Sequence, residues 1–311
     1  MTLVIKTVNL TKRYGSLVAL SNLNLEVEEG DCFGFIGPNG AGKSTTMKIL
    51  ATLLQPTWGE ARVCDFVVGY QSRQIRPLIG YVPDYFGAYD DMVVQEYLEF
   101  FAAAYNIHGP ARAKVVDDVL QLTDLAYKHD SPVDSLSRGM KQRLSIARTL
   151  LHDPKLLLLD EPAGNLDPRA RIELRELLKT LRTLGKTILI SSHILPELQD
   201  MCNKVGIIEQ GELKYAGPWT EIVRKARTGT VLHIGVAHNQ TSAASLLAQD
   251  ANVVSAIPKD FFIEVTLREN MSDFSYLANK LVTGGYKITL FKEEEVNLET
   301  AFMRLTKGMV Q

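Results

Sequence analysis

Apolar positions along this chain form short buried runs with helical stripes between them. Leu3 to Leu10 alternates around Val4, Thr7 and Val8 and predicts a strand, and Ala19 to Val27 predicts a second. Lys12-Arg13-Tyr14-Gly15 reads as the polar turn between them, and Glu28-Glu29-Gly30-Asp31 as the next turn. Cys32 to Ile36 is apolar throughout, the pattern of a buried strand. Gln55 to Glu60 reads as a turn. Ile79 to Val82 predicts a short strand that Pro83-Asp84 ends. Val93 to Tyr105 and Arg112 to Leu125 carry apolar residues at helical spacing, a helical insertion over about 85–135. A further helix places Met140, Leu144, Ala147, Leu150 and Leu151 on one face and stops at Asp153-Pro154. Four leucines, Leu156 to Leu159, and then Thr187 to Ile190, predict buried strands, with a charged helix from Pro168 to Leu184 between them. Val205 to Ile208 and Glu212 to Tyr215 predict a closing hairpin around Gln210-Gly211.

The pattern changes after a basic stretch, Arg224 to Gly229. Beyond it the predicted order is strand (Val231 to Val236), helix (Ser242 to Ala248), two strands (Val253 to Ile257 and Phe262 to Leu267), helix (Phe274 to Val282) and strand (Tyr286 to Phe291). That β-α-β-β-α-β order is ferredoxin-like. A last helix is predicted from Leu298 to Leu305, and Glu293 to Glu295 reads as a solvated turn. The expectation is therefore two domains, 1–223 and 230–311. The first is an α/β core carrying a small antiparallel β patch and a helical insertion, and the second is a small α+β accessory domain. A length of 311 residues agrees, because single cores stop growing at roughly 250–300 residues.

Composition narrows the partners. Hydrophobic residues make up 46% and charged residues 23%, an ordinary globular balance, and the net charge of −2 argues against a general nucleic-acid binder. Cys32, Cys64 and Cys202 lack metal-ligand spacing and read as small buried hydrophobes in a reducing setting. The first residues lack a secretory leader pattern, and no apolar run reaches the ~20 residues of a membrane span, so membrane contact is expected only through a partner.

The chemistry concentrates in three places. Gly37-Pro38-Asn39-Gly40-Ala41-Gly42-Lys43-Ser44-Thr45 has the form G-x-x-x-x-G-K-[ST] between a predicted strand and a predicted helix. Its glycines let backbone N–H groups curl around phosphate oxygens, and the helix N-terminus adds positive potential. Lys43 would reach the β- and γ-phosphates, and the Ser44 hydroxyl would hold Mg²⁺. Asp160-Glu161 follows the four leucines at a strand's carboxyl end, where ligands sit in open parallel sheets. Asp160 suits a water-mediated contact to Mg²⁺, and Glu161 suits orientation and deprotonation of an attacking water. His193 ends the next buried strand, after Ser191-Ser192, where it would contact phosphate. Tyr14 offers an aromatic face to an adenine ring. Tyr85, Phe86, Tyr89 and Met92 crowd one short loop and read as an interface.

Taken together, the phosphate loop, Leu-Ser-Arg-Gly-Met at 136–140, Leu-Leu-Leu-Leu-Asp-Glu-Pro at 156–162, Asn-Leu-Asp at 165–167 and Ser-Ser-His at 191–193 resemble an ATP-binding-cassette (ABC) ATPase over about residues 3–220. The resemblance implies a head-to-tail dimer with ATP between one chain's phosphate loop and the other's signature loop. Ser137 and Gly139 match the signature positions that hold the γ-phosphate in trans. Tyr14 matches the adenine-stacking aromatic, Glu161 the catalytic glutamate, Asp167 the D-loop acid and His193 the switch histidine. Two departures stand out: Arg138 and Met140 replace a glycine and a glutamine of the usual signature, and Asp84 stands where a glutamine normally marks the Q-loop. A carboxylate there keeps an oxygen for Mg²⁺ and loses the amide donor. The Gly-Tyr-Val-Pro-Asp form at 80–84, the extra carboxyl-terminal domain and Asn297 to Phe302 are similar to ATPase subunits of bacterial ABC-2-type exporters. The expected function is MgATP hydrolysis by a homodimer that drives a separate transmembrane permease from the cytoplasmic face of the membrane. The alternatives are an importer ATPase or a soluble ABC ATPase acting on a cytosolic partner.

Overall fold

A computed structural model describes residues 2–85, 87, 91–226, 230–268 and 273–293. The predicted helix at 298–305, the exporter-like ending at 297–302, and Phe86 and Tyr89 of the aromatic loop lie outside the described residues. The chain divides into two compact units, one up to Trp219 and one from Thr220.

The first unit opens with β1 (Leu3–Tyr14), β2 (Leu17–Leu23) and β3 (Glu26–Glu28). β1 is longer than its apolar alternation suggests. Lys12, Arg13 and Tyr14 continue it and pair with Leu20, Val18 and Leu17, so Tyr14 ends a strand and the turn is only Gly15-Ser16. β4 (Cys32–Ile36), buried at every residue, leads through the Gly37–Thr45 loop into α1 (Lys43–Leu50). Of the expected turn at 55–60, residues 55–57 stay outside any strand and 58–60 begin β5 (Trp58–Val63), which β6 (Phe66–Val67) follows. β5 lies antiparallel on β1, and Gly59 fits there because a Cβ would sit 2.2 Å from the Asn9 carbonyl oxygen. These strands make an antiparallel sheet in the order β2-β1-β5-β6, with β3 also on β1.

After the short α2 (Ser72–Ile75) comes β7 (Ile79–Val82). α3 (Val94–Ala104) and α4 (Gly109–Leu122) form the helical insertion and pack on each other and on α5 (Arg138–Leu150). Arg148 on α5 donates to the Tyr97 hydroxyl of α3 at 3.0 Å, closing that cluster. β8 (Leu156–Leu159), α6 (Pro168–Thr183), β9 (Thr187–Ser192), α7 (Leu195–Gln199), β10 (Lys204–Glu209) and β11 (Glu212–Pro218) complete the unit, and α8 (Trp219–Ala226) follows. The central sheet runs β11-β10-β4-β9-β8-β7, parallel except for β11. β10 is thus more than half of a hairpin, since it also pairs with β4. β8 and β9 are buried along their whole length, as four leucines and Thr-Ile-Leu-Ile-Ser-Ser suit strands covered on both faces.

The second unit holds β12 (Val231–Val236), α9 (Gln240–Ala248), β13 (Val253–Pro258), β14 (Ile263–Leu267), α10 (Ser275–Thr283) and β15 (Ile288–Glu293). Its sheet is antiparallel in the order β13-β14-β12-β15. Leu232, Ile234, Leu247, Ile263, Val265, Leu277 and Leu281 form a core of its own.

The three cysteines are all free thiols, and Cys64 is half-buried, packed against the edge of the first unit's core. Cys32 and Cys202 are far apart in sequence, yet their sulfurs lie 3.6 Å apart in a buried contact. No helix among the described residues is long and apolar enough to cross a membrane.

Candidate active site

Four neighbouring parallel strands, β4, β9, β8 and β7, end at one edge of the central sheet. Register places Ile36 beside Ser192, Ile190 beside Leu159, and Leu159 beside Val82. The residues after those ends are the Gly37 loop, His193, Asp160-Glu161 and Asp84. Sheet order alone therefore gathers groups that are more than a hundred residues apart in sequence.

The loop after β4 is shaped by close approach. A Cβ at Gly37 would lie 2.2 Å from the Ile208 carbonyl oxygen. Gly42 has φ 108°, and a Cβ there would lie 2.6 Å from Leu20 Cδ2 and 2.7 Å from the Ala19 carbonyl oxygen. Only glycine satisfies both limits at 42. β2 thus packs directly under the loop. α1 begins at Lys43 with no acidic residue in its first turn, which leaves its positive end to an anion. Asn39 and Gly40 are exposed at the tip, Pro38 is partly so, and Ala41 is buried.

Lys43 is buried, and its ammonium donates to the carbonyl oxygens of Gly37 (2.7 Å) and Pro38 (3.1 Å). It also lies 3.2 Å from Glu161 Oε1, an ion pair whose angle is not that of a hydrogen bond. The other carboxylate oxygen, Oε2, is 2.8 Å from His193 Nδ1, where a carboxylate accepts a hydrogen bond from the imidazole N–H. Glu161 adopts φ 48°, an uncommon left-handed conformation for a side-chain-bearing residue, worth about 1–3 kcal/mol of strain. Its backbone N–H is held by Ser191 Oγ at 2.9 Å, and its carbonyl oxygen accepts the Gly164 N–H at 3.0 Å.

Asp160 is buried. Ser191 Oγ donates to its Oδ1 at 2.7 Å, and the Ser44 hydroxyl faces the same carboxylate. Burial pushes its carboxyl above the usual carboxylate range, the two serine hydroxyls oppose that shift, and the charges of Asp84 and Glu161 add to it. Asp84 itself is exposed just past β7. The donors Ser44, Asp160 and Asp84 are all oxygens, as a hard cation requires. Among the described residues no three His, Cys, Asp or Glu side chains converge as ligands. A metal here would draw on one or two carboxylates, the nucleotide phosphates and water, which is the usual magnesium arrangement.

Other expected site residues stand apart from this cluster. Tyr14 is half-exposed at the end of the β1–β2 hairpin, with the Lys12 ammonium 5.2 Å from its ring centre. Ser137 caps α5, accepting the Met140 N–H at 3.3 Å. Gly139 is a packing position, since a Cβ would meet Ala170 Cβ of α6 at 2.6 Å. Asp167 caps α6 by accepting the Ala170 N–H at 2.9 Å. Thr45 is half-buried in the first turn of α1.

Sequence reasoning gave Ser191 no role, although its one hydroxyl ties Asp160 to the Glu161 backbone. The signal was available: two serines at the end of an otherwise apolar buried strand need polar partners. Arg143 was likewise missed. It is buried on α5, donates to the carbonyls of Thr123 and Asp124, and forms an ion pair with Glu173 on α6 at 3.3 Å, joining insertion to core.

A phosphate-binding loop, a strand-end Asp-Glu pair and a histidine on the glutamate, at the edge of a parallel sheet, define a P-loop ATPase site. The ABC transporter family profile matches residues 20–164. The bacitracin transport ATP-binding protein BcrA of Bacillus licheniformis is 34% identical over 310 residues, 99% of each chain. A Nod factor export ATP-binding protein of Cupriavidus metallidurans is 38% identical over 223 residues, 72% of this chain and 74% of its own. Among solved structures, a dimeric ATP-binding cassette in a post-hydrolysis state, bound to ADP and Pi, superposes with TM-score 0.62 at 28% identity, over 69% of this chain and 98% of the cassette. The chain belongs to the ABC transporter ATP-binding proteins, and it is an ATPase of that class.

Proposed function

We propose that this chain is the MgATP-hydrolysing subunit of an ABC exporter. It would act as a homodimer on a separate transmembrane permease, peripheral to the cytoplasmic face of the membrane. The observation that carries the reading is the Lys43–Glu161–His193 cluster, in a chain that aligns along its whole length with a transport ATP-binding protein. Relatives named for transport and export favour an exporter over an importer or a soluble ATPase.

In this reading the loop N–H groups and Lys43 take the β- and γ-phosphates, exchanging Lys43's carbonyl partners for phosphate oxygens. Tyr14 stacks on adenine. Water attacks the γ-phosphorus, the bond to the bridging oxygen breaks, and ADP and phosphate leave. Glu161 orients the water and takes its proton, while His193 holds the glutamate's other oxygen and contacts the γ-phosphate. Ser44, Asp160 and Asp84 would hold Mg²⁺, which when bound neutralises charge on the phosphates. Ser137 and Gly139 of the opposing subunit, at the positive end of α5, complete the γ-phosphate site, and Asp167 lies at the same interface. Tyr85, exposed beside Asp84, and Met92 belong to the permease contact. The cassette would span 1–223, and the carboxyl-terminal unit would be a ferredoxin-like accessory domain, a reading its β-α-β-β-α-β order supports.

The test separates binding from turnover. Lys43→Ala should lose ATP binding. Glu161→Gln should bind MgATP normally and hydrolyse it about 10²–10⁴-fold more slowly. Near-normal steady-state ATPase activity in Glu161→Gln would remove it as the base.

A further inference from the structure

Both backbone neighbours of His193 are tied to one hydroxyl. Ser192 Oγ accepts the Ile194 N–H at 3.0 Å, and its one proton has Glu197 Oε2 at 3.2 Å as the nearer acceptor, ahead of the Ile194 carbonyl oxygen at 3.4 Å. Glu197 stands on α7, its side chain only 11% exposed. Its other oxygen, Oε1, lies 3.4 Å from Arg171 Nε on α6. Neither of those atoms has a hydrogen-bond partner, so the contact is an ion pair rather than a directed bond. One turn on, Arg175 Nη1 donates to Asp200 Oδ2 at 2.6 Å. Arg171 and Arg175 are four residues apart and share a face of α6. Two ion pairs thus clip the short helix after His193 to the long helix that Asp167 caps.

Burying a carboxylate is costly unless it is paired, and a leucine would fill the same space without that cost. Burial raises the Glu197 carboxyl, opposed by Arg171 and the Ser192 hydroxyl. What Glu197 does that leucine could not do is fix the Ser192–Ile194 turn, and with it the direction of the imidazole.

The geometry points to Glu197 as a positioning residue for His193, transmitting the placement of α6 to the histidine through Ser192. Arg171 lies one turn inside α6. A displacement of the Asp167 end therefore moves the guanidinium, then Glu197, then the turn that aims His193 at Glu161. This rests on the proposed role of His193 in hydrolysis.

The experiment uses full-length protein and three readouts: steady-state ATPase kinetics, thermal unfolding, and the ¹³C imidazole resonance of His193, assigned by its loss in His193→Ala. Glu197→Ala should lower kcat about 10–100-fold, the loss expected of a misaligned site. KM for ATP should stay within about twofold, because the phosphate loop, Lys43 and Tyr14, which carry most of the proposed nucleotide contacts, are untouched. Glu197→Gln keeps an acceptor for Ser192 and loses the ion pair, so it should fall between wild type and Ala. Arg171→Gln should reproduce it, and it provides the test should Glu197→Ala fail to fold. In a His193→Ala background, Glu197→Ala should lower kcat no further. The His193 resonance should move in Glu197→Ala. An unchanged kcat, a further full loss on top of His193→Ala, or an unmoved resonance would each overturn the assignment. Wild-type turnover in His193→Ala alone would instead remove the histidine's role, and the resonance would then decide whether Glu197 positions it.

Discussion

Asp84 is exposed, yet its charge reaches the buried Asp160. A second carboxylate beside a triphosphate is tolerable only while a cation lies between them. If Asp84 supplies an oxygen to Mg²⁺, Asp84→Ala should raise the Mg²⁺ concentration for half-maximal turnover. Asp84→Asn, which keeps an oxygen and drops the charge, should raise it less. Mg²⁺ titrations of ATPase activity decide this, and wild-type midpoints in both variants would leave Asp84 outside the site. At this scale the sequence was most legible where spacing is forced by chemistry. Gly37, Gly42, Lys43 and Ser44 are readable because few other residues fit a loop that wraps phosphate. Glu197 and Arg171 were not, because their meaning lies in a contact between two helices that no local pattern announces.

α5 and α6 approach each other at Gly139 and Ala170. A methyl on Gly139 would stand 2.6 Å from Ala170 Cβ, well inside the ~3.5–4.0 Å of a relaxed carbon contact. Alanine is the better helix former by up to about 1 kcal/mol. Overpacking a tight contact costs about 1–3 kcal/mol, so the clash should win. Gly139→Ala should therefore lower Tm by a few degrees without nucleotide, at about 2–4 °C per kcal/mol for a unit of this size. Gly139→Ala/Ala170→Gly should recover part of the loss. A Tm at or above wild type in the single variant would show that the helices adjust freely. Element by element, β8 and β9 were plain in the sequence because strands buried on both faces are apolar throughout. β5 was not: Pro56 and Gly59 imitate a turn, and the strand exists because β1, some fifty residues earlier, offers it an edge. Tyr14 was misplaced for a different reason: its strand partner Leu17 is only three residues on, so a polar stretch that reads as a turn is the end of a strand.

At the scale of the molecule, the proposed γ-phosphate site is divided between two places in the chain. Lys43, Asp160, Glu161 and His193 meet at the sheet edge, while Ser137 and Gly139 stand at the start of α5, bonded to or packed against Met140 and Ala170. If the second half comes from another copy, nucleotide shared across the interface must stabilise the dimer. A ligand at 100 times its Kd contributes about 2.7 kcal/mol. Hydrolysis removes that ligand, so the wild-type dimer should be transient, and Glu161→Gln, which binds without turnover, should hold it. Light scattering of Glu161→Gln should give the monomer mass without nucleotide and twice that mass with MgATP, and EDTA should return it to the monomer. Ser137→Ala in the same background should weaken the trapped dimer without changing ATP affinity of the monomer, because within its own chain the hydroxyl only caps α5, and in the proposed reading it meets nucleotide across the interface. One mass under all conditions would count against a nucleotide-dependent interface, and a constant double mass would move dimerisation to another surface, with residues 230–311 the first to delete.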